Sequence, residues 1–331
     1  QFLHSKFPKI NLAALEATEK SKPTLKFLEK HNVQNYEKTE AFLQNNDFII
    51  TSPGVNTSSF QHCKNKFVNE LDIFQSYFQN KIIAITGTLG KTSITSLTAQ
   101  LLCQQNFRAI AGGNIGTCTF ELLNKKIDCD FTVLECSSFQ LQSATSFAPD
   151  LAIWTNLYPN HLDRHKTLQE YIQAKSNIFQ NQKEHQQCLL NANLIDIIGL
   201  KKLSKIKSCL AFFSEEKPDK KIIEKITNPA HWFYFKKGNI VQLYENQETT
   251  IASSKHLTGV TFKINWLVIY AALRLLKIKI TKPENVKNVE PITEHRIEKV
   301  ATINQVDFYN DSKSTIPEST FAALEKFKGK N

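Results

Sequence analysis

From Lys81 onward the chain alternates short apolar runs with amphipathic ones, a grammar that the preceding residues lack. Lys81 to Thr86 reads as a buried-type strand, Thr92 to Gln105 as a helix with Ile94, Leu97, Leu101 and Leu102 on one face. Phe131 to Leu134 and Leu151 to Thr155 are two further apolar strands. This βαβ alternation predicts an α/β fold, a parallel sheet covered by helices on both faces. Upstream, the pattern predicts helices over Leu12 to Lys20, Thr24 to His31 and Thr39 to Gln44, a short strand from Asp47 to Thr51, and a turn at Ser52-Pro53-Gly54. Downstream, the periodicity weakens between about 182 and 260, apart from a hairpin across 233–244 that turns at Gly238-Asn239. A helix from Asn265 to Leu276 follows. After a linker punctuated by Pro283 and Pro291, a strand pair, Arg296 to Ile303 and Val306 to Asn310, opens a third unit that looks incomplete.

Composition sharpens this in a few places. With 331 residues and 41% hydrophobic residues the chain can build packed cores, and its length suits two or three domains. There are only 10 glycines, and Gly87, Gly90, Gly112, Gly113 and Gly116 fall close together, with Gly54 not far upstream. The 7 cysteines show no C-x-x-C spacing and sit in apolar surroundings, so reduced thiols in a cytoplasmic protein are expected over disulfides or zinc. Trp266 to Leu273 is the longest apolar run, too short to span a bilayer. The net charge of +10 comes from lysines spread along the chain, so no nucleic-acid partner is expected. A start at Gln1 without any Met leads us to expect a piece of a longer protein.

The strongest local chemistry is strand, then Gly87-Thr88-Leu89-Gly90-Lys91-Thr92-Ser93, then helix. Glycines let backbone N–H groups wrap a phosphate, the helix N-terminus adds a positive dipole end, Lys91 reaches outer phosphates and the Thr92 hydroxyl can meet Mg²⁺. The spacing is a shorter G-x-x-G-K-T variant of the phosphate loop. Asn114, Glu135 and His161 follow turns or strand ends on the same side, where open α/β sheets bind ligands. Each alone is an ordinary structural polar group. Together they suggest a Mg²⁺ site with Glu135 and His161 as protein ligands. Lys175 shares a helix stripe with Leu168, Tyr171, Ile178 and Phe179, after the capping box Thr167 to Glu170. It is either a lysine snorkelling from the stripe's edge or a desolvated lysine with a depressed pKa.

Seven segments in order carry a resemblance: Gly87 to Ser93, Gly113 to Gly116, Glu135 to Leu141, Asn160 to His165, Ala174-Lys175, His295 to Glu298 and Tyr309 to Thr315. From about Ser52 to the end, the chain resembles the Mur ligases. The resemblance implies a multi-domain α/β protein: a partial Rossmann-like UDP-sugar-binding domain at 1–80, a central parallel-sheet P-loop ATP-binding domain at 81–291, and the start of a truncated α/β amino-acid-binding domain at 292–331. The Ser137 to Leu141 run and the Asn310 to Lys313 block point to the branch that adds D-glutamate. In that branch ATP phosphorylates the carboxylate of UDP-N-acetylmuramoyl-L-alanine, and the amine of D-glutamate attacks the acyl phosphate, in peptidoglycan synthesis. The alternative is an ATP-binding remnant of the family without ligase turnover. The resemblance further implies these roles: Gly87, Thr88, Gly90, Lys91, Thr92 and Ser93 around the phosphates, and Asn265 at adenine. Asn114 would orient the reacting groups, Arg296 would reach the γ-phosphate and Asp311 the ribose. Lys175 would be a carbamylated lysine holding a second Mg²⁺, and Lys313 and Thr315 would belong to the closing interface. Ser52, Pro53 and Gly54 would belong to the UDP-sugar site, and Ser137 and Thr315 would also bind substrate. A cytoplasmic monomer is expected.

Overall fold

The computed structural model describes residues 2–6, 11–15, 30, 33–52, 55, 57–125, 128–226, 230–253, 257, 261–280, 297–312, 314, 317–325 and 327. Near its start, Ala13–Leu15 (β1) pairs in parallel with Gln34–Tyr36 (β2). This corrects the described part, Leu12 to Leu15, of the helix expected from Leu12 to Lys20. Ala and Leu favour helix in isolation, but here a strand distant in sequence captures their backbone, and pairing outweighs local propensity. The helix expected at Thr24 to His31 lies almost wholly outside the described residues. Thr39–Asn45 is helical as expected, whereas the strand expected from Asp47 to Thr51 reduces to one bridge, Ile49 to Phe67.

A strand's side chains alternate between faces, so a run that is apolar at every position has to be covered on both. Lys81–Thr86 (β3) contains such a run, Ile82 to Ile85, and is buried from Ile82 onward. It lies inside a nine-stranded sheet with Ala109–Gly113 (β4), Phe131–Glu135 (β5), Leu151–Trp154 (β6), Gln187–Asn191 (β7), Cys209–Phe213 (β8), His231–Lys236 (β9), Asn239–Tyr244 (β10) and Gln247–Ser253 (β11). Their order across the sheet is β11-β10-β9-β8-β7-β6-β3-β5-β4. Neighbours from β4 to β9 run parallel, while β10 and β11 are antiparallel additions at one edge. The expected hairpin is β9 and β10, turning through Lys237-Gly238.

Helices cover both faces. Glu70–Tyr77 (α1), Lys91–Gln104 (α2), Ser138–Gln142 (α3), Leu168–Gln180 (α4) and Lys263–Leu275 (α5) are the ones that frame the sheet's working edge. Ile83, Ile85, Val133 and Ile153 point to one face, where α2 and α5 bring Leu97, Leu101, Trp266 and Ile269. Ile82, Ala84, Leu134 and Trp154 point to the other, against Phe74, Leu141, Ile172 and Phe179 from α1, α3 and α4. The chain leaves β3 toward the β4 edge and, after β5, crosses back to β6 on the other side of β3. The order therefore reverses at β3, and the loops after β3, β5 and β6 open on one crevice, the usual ligand position in such sheets.

Farther on, Glu298–Ile303 (β12) and Val306–Asn310 (β13) form the expected antiparallel pair, followed by a helix from Pro317 to Glu325. Among the described residues no helix is long and apolar enough to cross a membrane.

Candidate active site

The loop after β3 reaches α2 through Gly90, whose φ of +83° places it in the left-handed region. A Cβ there would sit 2.7 Å from the Asn265 Oδ1 of α5, so only glycine lets the two elements close on each other. The first N–H groups of α2 have no carbonyl behind them and, with the helix dipole, offer partial positive charge at the crevice. Ile94 N–H makes the first helical bond, back to Gly90 O at 2.9 Å. Lys91 Nζ donates to Thr88 O at 3.0 Å and so lies along the loop. This is a cradle for a chain of phosphates.

Glu135, the last residue of β5, closes one side. It is buried, and its two oxygens are divided: Oε2 accepts the Thr92 hydroxyl at 2.7 Å and Oε1 accepts the Asn114 amide at 3.0 Å. Asn114 N–H also donates to Glu135 O at 2.8 Å. This closeness depends on Gly113, at φ +93°, where a Cβ would stand 2.4 Å from Glu135 O. Three residues proposed from separate parts of the sequence thus form one hydrogen-bonded chain across the mouth of the loop.

Below the cradle, α4 carries Lys175 inward with only 1% of its surface exposed. Nζ donates to Gly87 O at 2.8 Å, stands 3.4 Å from Thr86 Oγ1 and sits 4.6 Å from the centre of the Tyr171 ring. Burial, then Lys91, push its pKa well below the usual lysine value, against the opposing pull of Glu135. Of the two readings of Lys175, the desolvated amine is the one the structure bears out, and the snorkelling one is set aside.

His161 follows β6 on a loop at φ +55°, and its ring meets Phe139 edge-on at 5.0 Å. Burial, then Lys175 and Lys91, lower its pKa. Phe139 also has the Arg164 guanidinium over its ring at 5.2 Å and the His165 ring stacked with it at 5.2 Å. The possible metal donors are therefore one carboxylate, one hydroxyl and the imidazole of His161. Among the described residues no cluster of three or more His, Cys, Asp or Glu could hold a metal ion. A set so thin suits Mg²⁺, which keeps waters and takes phosphate oxygens, and does not suit a closed zinc site.

Residues 85–273 match the family model described as the Mur ligase middle domain. The chain belongs to the Mur ligase family. Among its relatives, the UDP-N-acetylmuramoylalanine–D-glutamate ligase of Ruminiclostridium cellulolyticum is 34% identical over 80% of this chain and 54% of that protein. The enzyme of the same name from Christiangramia forsetii is 33% identical over 94% of this chain and 68% of that protein. The chain spans between about half and two thirds of the length of such relatives. Solved structures share the fold: MurF ligase from Thermotoga maritima in complex with ADP has a TM-score of 0.57 at 18% identity, covering 97% of this chain and 73% of that one. The Escherichia coli FolC structure with DHPP and ADP has a TM-score of 0.54 at 11% identity, covering 85% and 76%.

Within this Mur ligase chain the sequence-proposed residues fall into three groups. Gly87, Thr88, Gly90, Lys91, Thr92, Ser93, Asn114, Glu135, Lys175 and Asn265 line or support the crevice, with His161 at its rim. Asn265 is buried and donates to Thr261 Oγ1 at 2.7 Å. Two others are engaged in local structure. Ser137 caps α3 in a reciprocal bond with Gln140, and Asp311 accepts from Ile297 N–H and Ser314 Oγ beside the β12–β13 hairpin. Pro53, Gly54, Arg296, Lys313 and Thr315 lie outside the described residues, while Ser52 accepts the Val55 N–H in a turn. Sequence reasoning missed Asn156, whose side chain bonds the phosphate loop, and Phe139, which packs beside His161. Asn156 stands just past the end of an apolar strand, so the rule that found Glu135 applied equally to it.

His165 gives this Mur ligase an acid-sensitive point. The imidazole is buried, stands 2.9 Å from Ser138 Oγ and leaves Nδ1 without a hydrogen-bond partner. Burial, then Lys175, pushes its pKa down to about 4 from the ordinary 6.5. Below pH 6.5 the unfolded chain takes up a proton that the folded chain refuses, so stability falls as pH drops from 6.5 toward 4. One such group contributes up to about 1.4 kcal/mol per pH unit. His161 and His231 are shifted the same way. Urea midpoints are expected to fall steadily between pH 6.5 and 4.5, and less steeply in His165→Phe; identical midpoints across that window would contradict the assignment.

Proposed function

We propose that this chain is the ATP-binding part, with flanking segments, of a ligase that joins D-glutamate to UDP-N-acetylmuramoyl-L-alanine in the cytoplasm. Segments 1–80, 81–291 and 292–331 correspond in this proposal to the UDP-sugar, ATP and amino-acid units. The observation that carries it is the chain Thr92–Glu135–Asn114 across a phosphate loop backed by a buried lysine. The identity of the relatives' substrates, and the ADP bound in solved structures of the fold, support the same substrates here.

The residues divide the work. Backbone N–H groups at the start of α2, with Lys91, hold the phosphates and neutralise charge as the terminal phosphoryl moves to the substrate carboxylate. Asn265 beside Gly90 borders the base. Thr92, Glu135 and His161 would hold Mg²⁺, which supplies charge neutralisation between phosphate oxygens. Asn114, anchored on Glu135, is placed to orient the acyl group, so that attack by the amine meets an aligned carbonyl. Lys175, whose burial favours the deprotonated amine, can add CO₂ in that form: a new N–C bond forms as one C–O π bond of CO₂ opens onto oxygen, the amine gives up one proton to solvent, and the resulting carbamate would be a second anionic ligand for metal. Arg296, Lys313, Thr315, Asp311, Ser52, Pro53, Gly54 and Ser137 complete the proposal as nucleotide, interface and substrate contacts.

The test is amino-acid-dependent phosphate release. The protein carrying this chain, given ATP, Mg²⁺ and UDP-N-acetylmuramoyl-L-alanine, is expected to release phosphate with D-glutamate. Release with L-glutamate or a diamino acid in its place refutes the substrate assignment; tight ATP binding with no release under any of these conditions favours the non-catalytic remnant.

A further inference from the structure

The segment directly after β6 is fastened to the phosphate loop along its whole length. Thr155 Oγ1 donates to Leu89 O at 2.8 Å, and Tyr158 N–H donates to Thr88 Oγ1 at 3.0 Å. Between them, Asn156 Oδ1 accepts both Thr88 N–H, at 3.0 Å, and Leu89 N–H, at 2.8 Å, while Asn156 Nδ2 donates to Leu89 O at 3.0 Å. One side-chain amide thus pairs with both polar groups of Leu89 and takes its neighbour's donor as well. An asparagine whose two amide atoms are both committed to one loop is placed for that loop.

The loop's backbone donors are sorted as a result. Thr88 and Leu89 turn theirs toward Asn156, whereas the donors at the start of α2 have no helical acceptor and face the crevice. A glycine-bearing loop left untethered would have to be ordered when an anion arrives, and that entropy would be subtracted from affinity. Here the ordering is already done. The same segment continues within five residues to His161, so it also sets the spacing between phosphate loop and rim histidine.

We infer that Asn156 is a positioning residue for the phosphates: its amide holds Thr88 and Leu89 in the shape that leaves the α2 donors aimed at the ligand. The inference rests on the nucleotide reading of this crevice. Asn156→Ala removes the amide; Asn156→Gln keeps it but displaces it by one methylene. Both are expected to weaken ADP binding with Mg²⁺ by about tenfold to a hundredfold in calorimetry, from the loss of two or three hydrogen bonds. Deuterium uptake over 87–90 is expected to rise in both, with protection of 94–104 and the ligand-free melting temperature little changed, a pattern that a general loss of stability would not give. ADP affinity within twofold of the parent in either variant overturns the inference. So does unchanged uptake at 87–90 in Asn156→Ala, or a loss of affinity that only follows a global loss of protection. Failure of the unmodified chain to bind ADP sinks the nucleotide reading instead, and the exchange measurement still decides whether Asn156 shapes the loop.

Discussion

Replacing Lys91 with alanine is expected to lower nucleotide affinity and turnover by about two to three orders of magnitude, the scale seen when one preorganised charge donor is removed from a site. Lys91 opens α2 and lies along the loop against Thr88 O, so its ammonium adds to the helix dipole at one point. Its loss also alters its neighbours. Lys91 depresses the pKa of both His161 and Lys175. Without it both return toward their ordinary values, so any limb of a pH–rate profile that belongs to His161 moves to higher pH in the variant. Lys91→Arg is expected to fare little better, because a planar fork does not replace a compact ammonium against one carbonyl. The side chain is only half-buried, so the melting temperature should hold. Calorimetric ADP affinity within about threefold of the parent in Lys91→Ala would remove Lys91 from the phosphate site.

The central sheet was legible because β3 and β6 carry unbroken apolar runs, Ile82 to Ile85 and Leu151 to Trp154, and β5 is buried at every position around Phe131, Val133 and Leu134, which leaves no face for water. β4 hid for the opposite reason: Ala109-Ile-Ala-Gly-Gly113 has poor strand propensity and is held by pairing with β5. β7 and β8 are short runs separated by a helical connection that carries Lys201, Lys202, Lys205 and Lys207, and pairing with neighbours on either side makes them strands. β1 went further and reversed a helical preference. Of the site, the glycine and lysine pattern and the strand-end rule located Lys91, Asn114 and Glu135, yet not that Glu135 splits its two oxygens between Thr92 and Asn114. That split depends on where β4 and β5 stop relative to each other, which register sets and composition does not. Asn156 met the same strand-end rule as Glu135, but nothing about an asparagine announces that both amide atoms serve one loop.

Lys175 is the position where function and stability are expected to part most widely. A fully buried lysine amine with two hydrogen-bond acceptors and an aromatic face beneath it is buried at a cost whenever it carries charge, and its pKa is lowered accordingly. Methionine fills nearly the same volume without that cost. Lys175→Met is therefore expected to match or exceed the parent in melting temperature, since exchanging a buried ion for a hydrophobe is often neutral to stabilising. Turnover, by contrast, is expected to fall by at least about a thousandfold, the range lost when a group that organises transition-state charge is removed. The carbamate proposal adds a second arm. In Lys175→Ala the truncated side chain leaves room near Gly87 O, and formate or acetate is expected to restore part of the turnover by supplying the missing carboxylate. Bicarbonate is expected to stimulate the parent but neither variant. Turnover within tenfold of the parent in Lys175→Met would return this residue to a structural role, as the lysine that ties α4 to the phosphate loop. Loss of turnover in Lys175→Ala without rescue by either acid, together with indifference of the parent to bicarbonate, would keep the residue in the site as a cation and remove the carbamate.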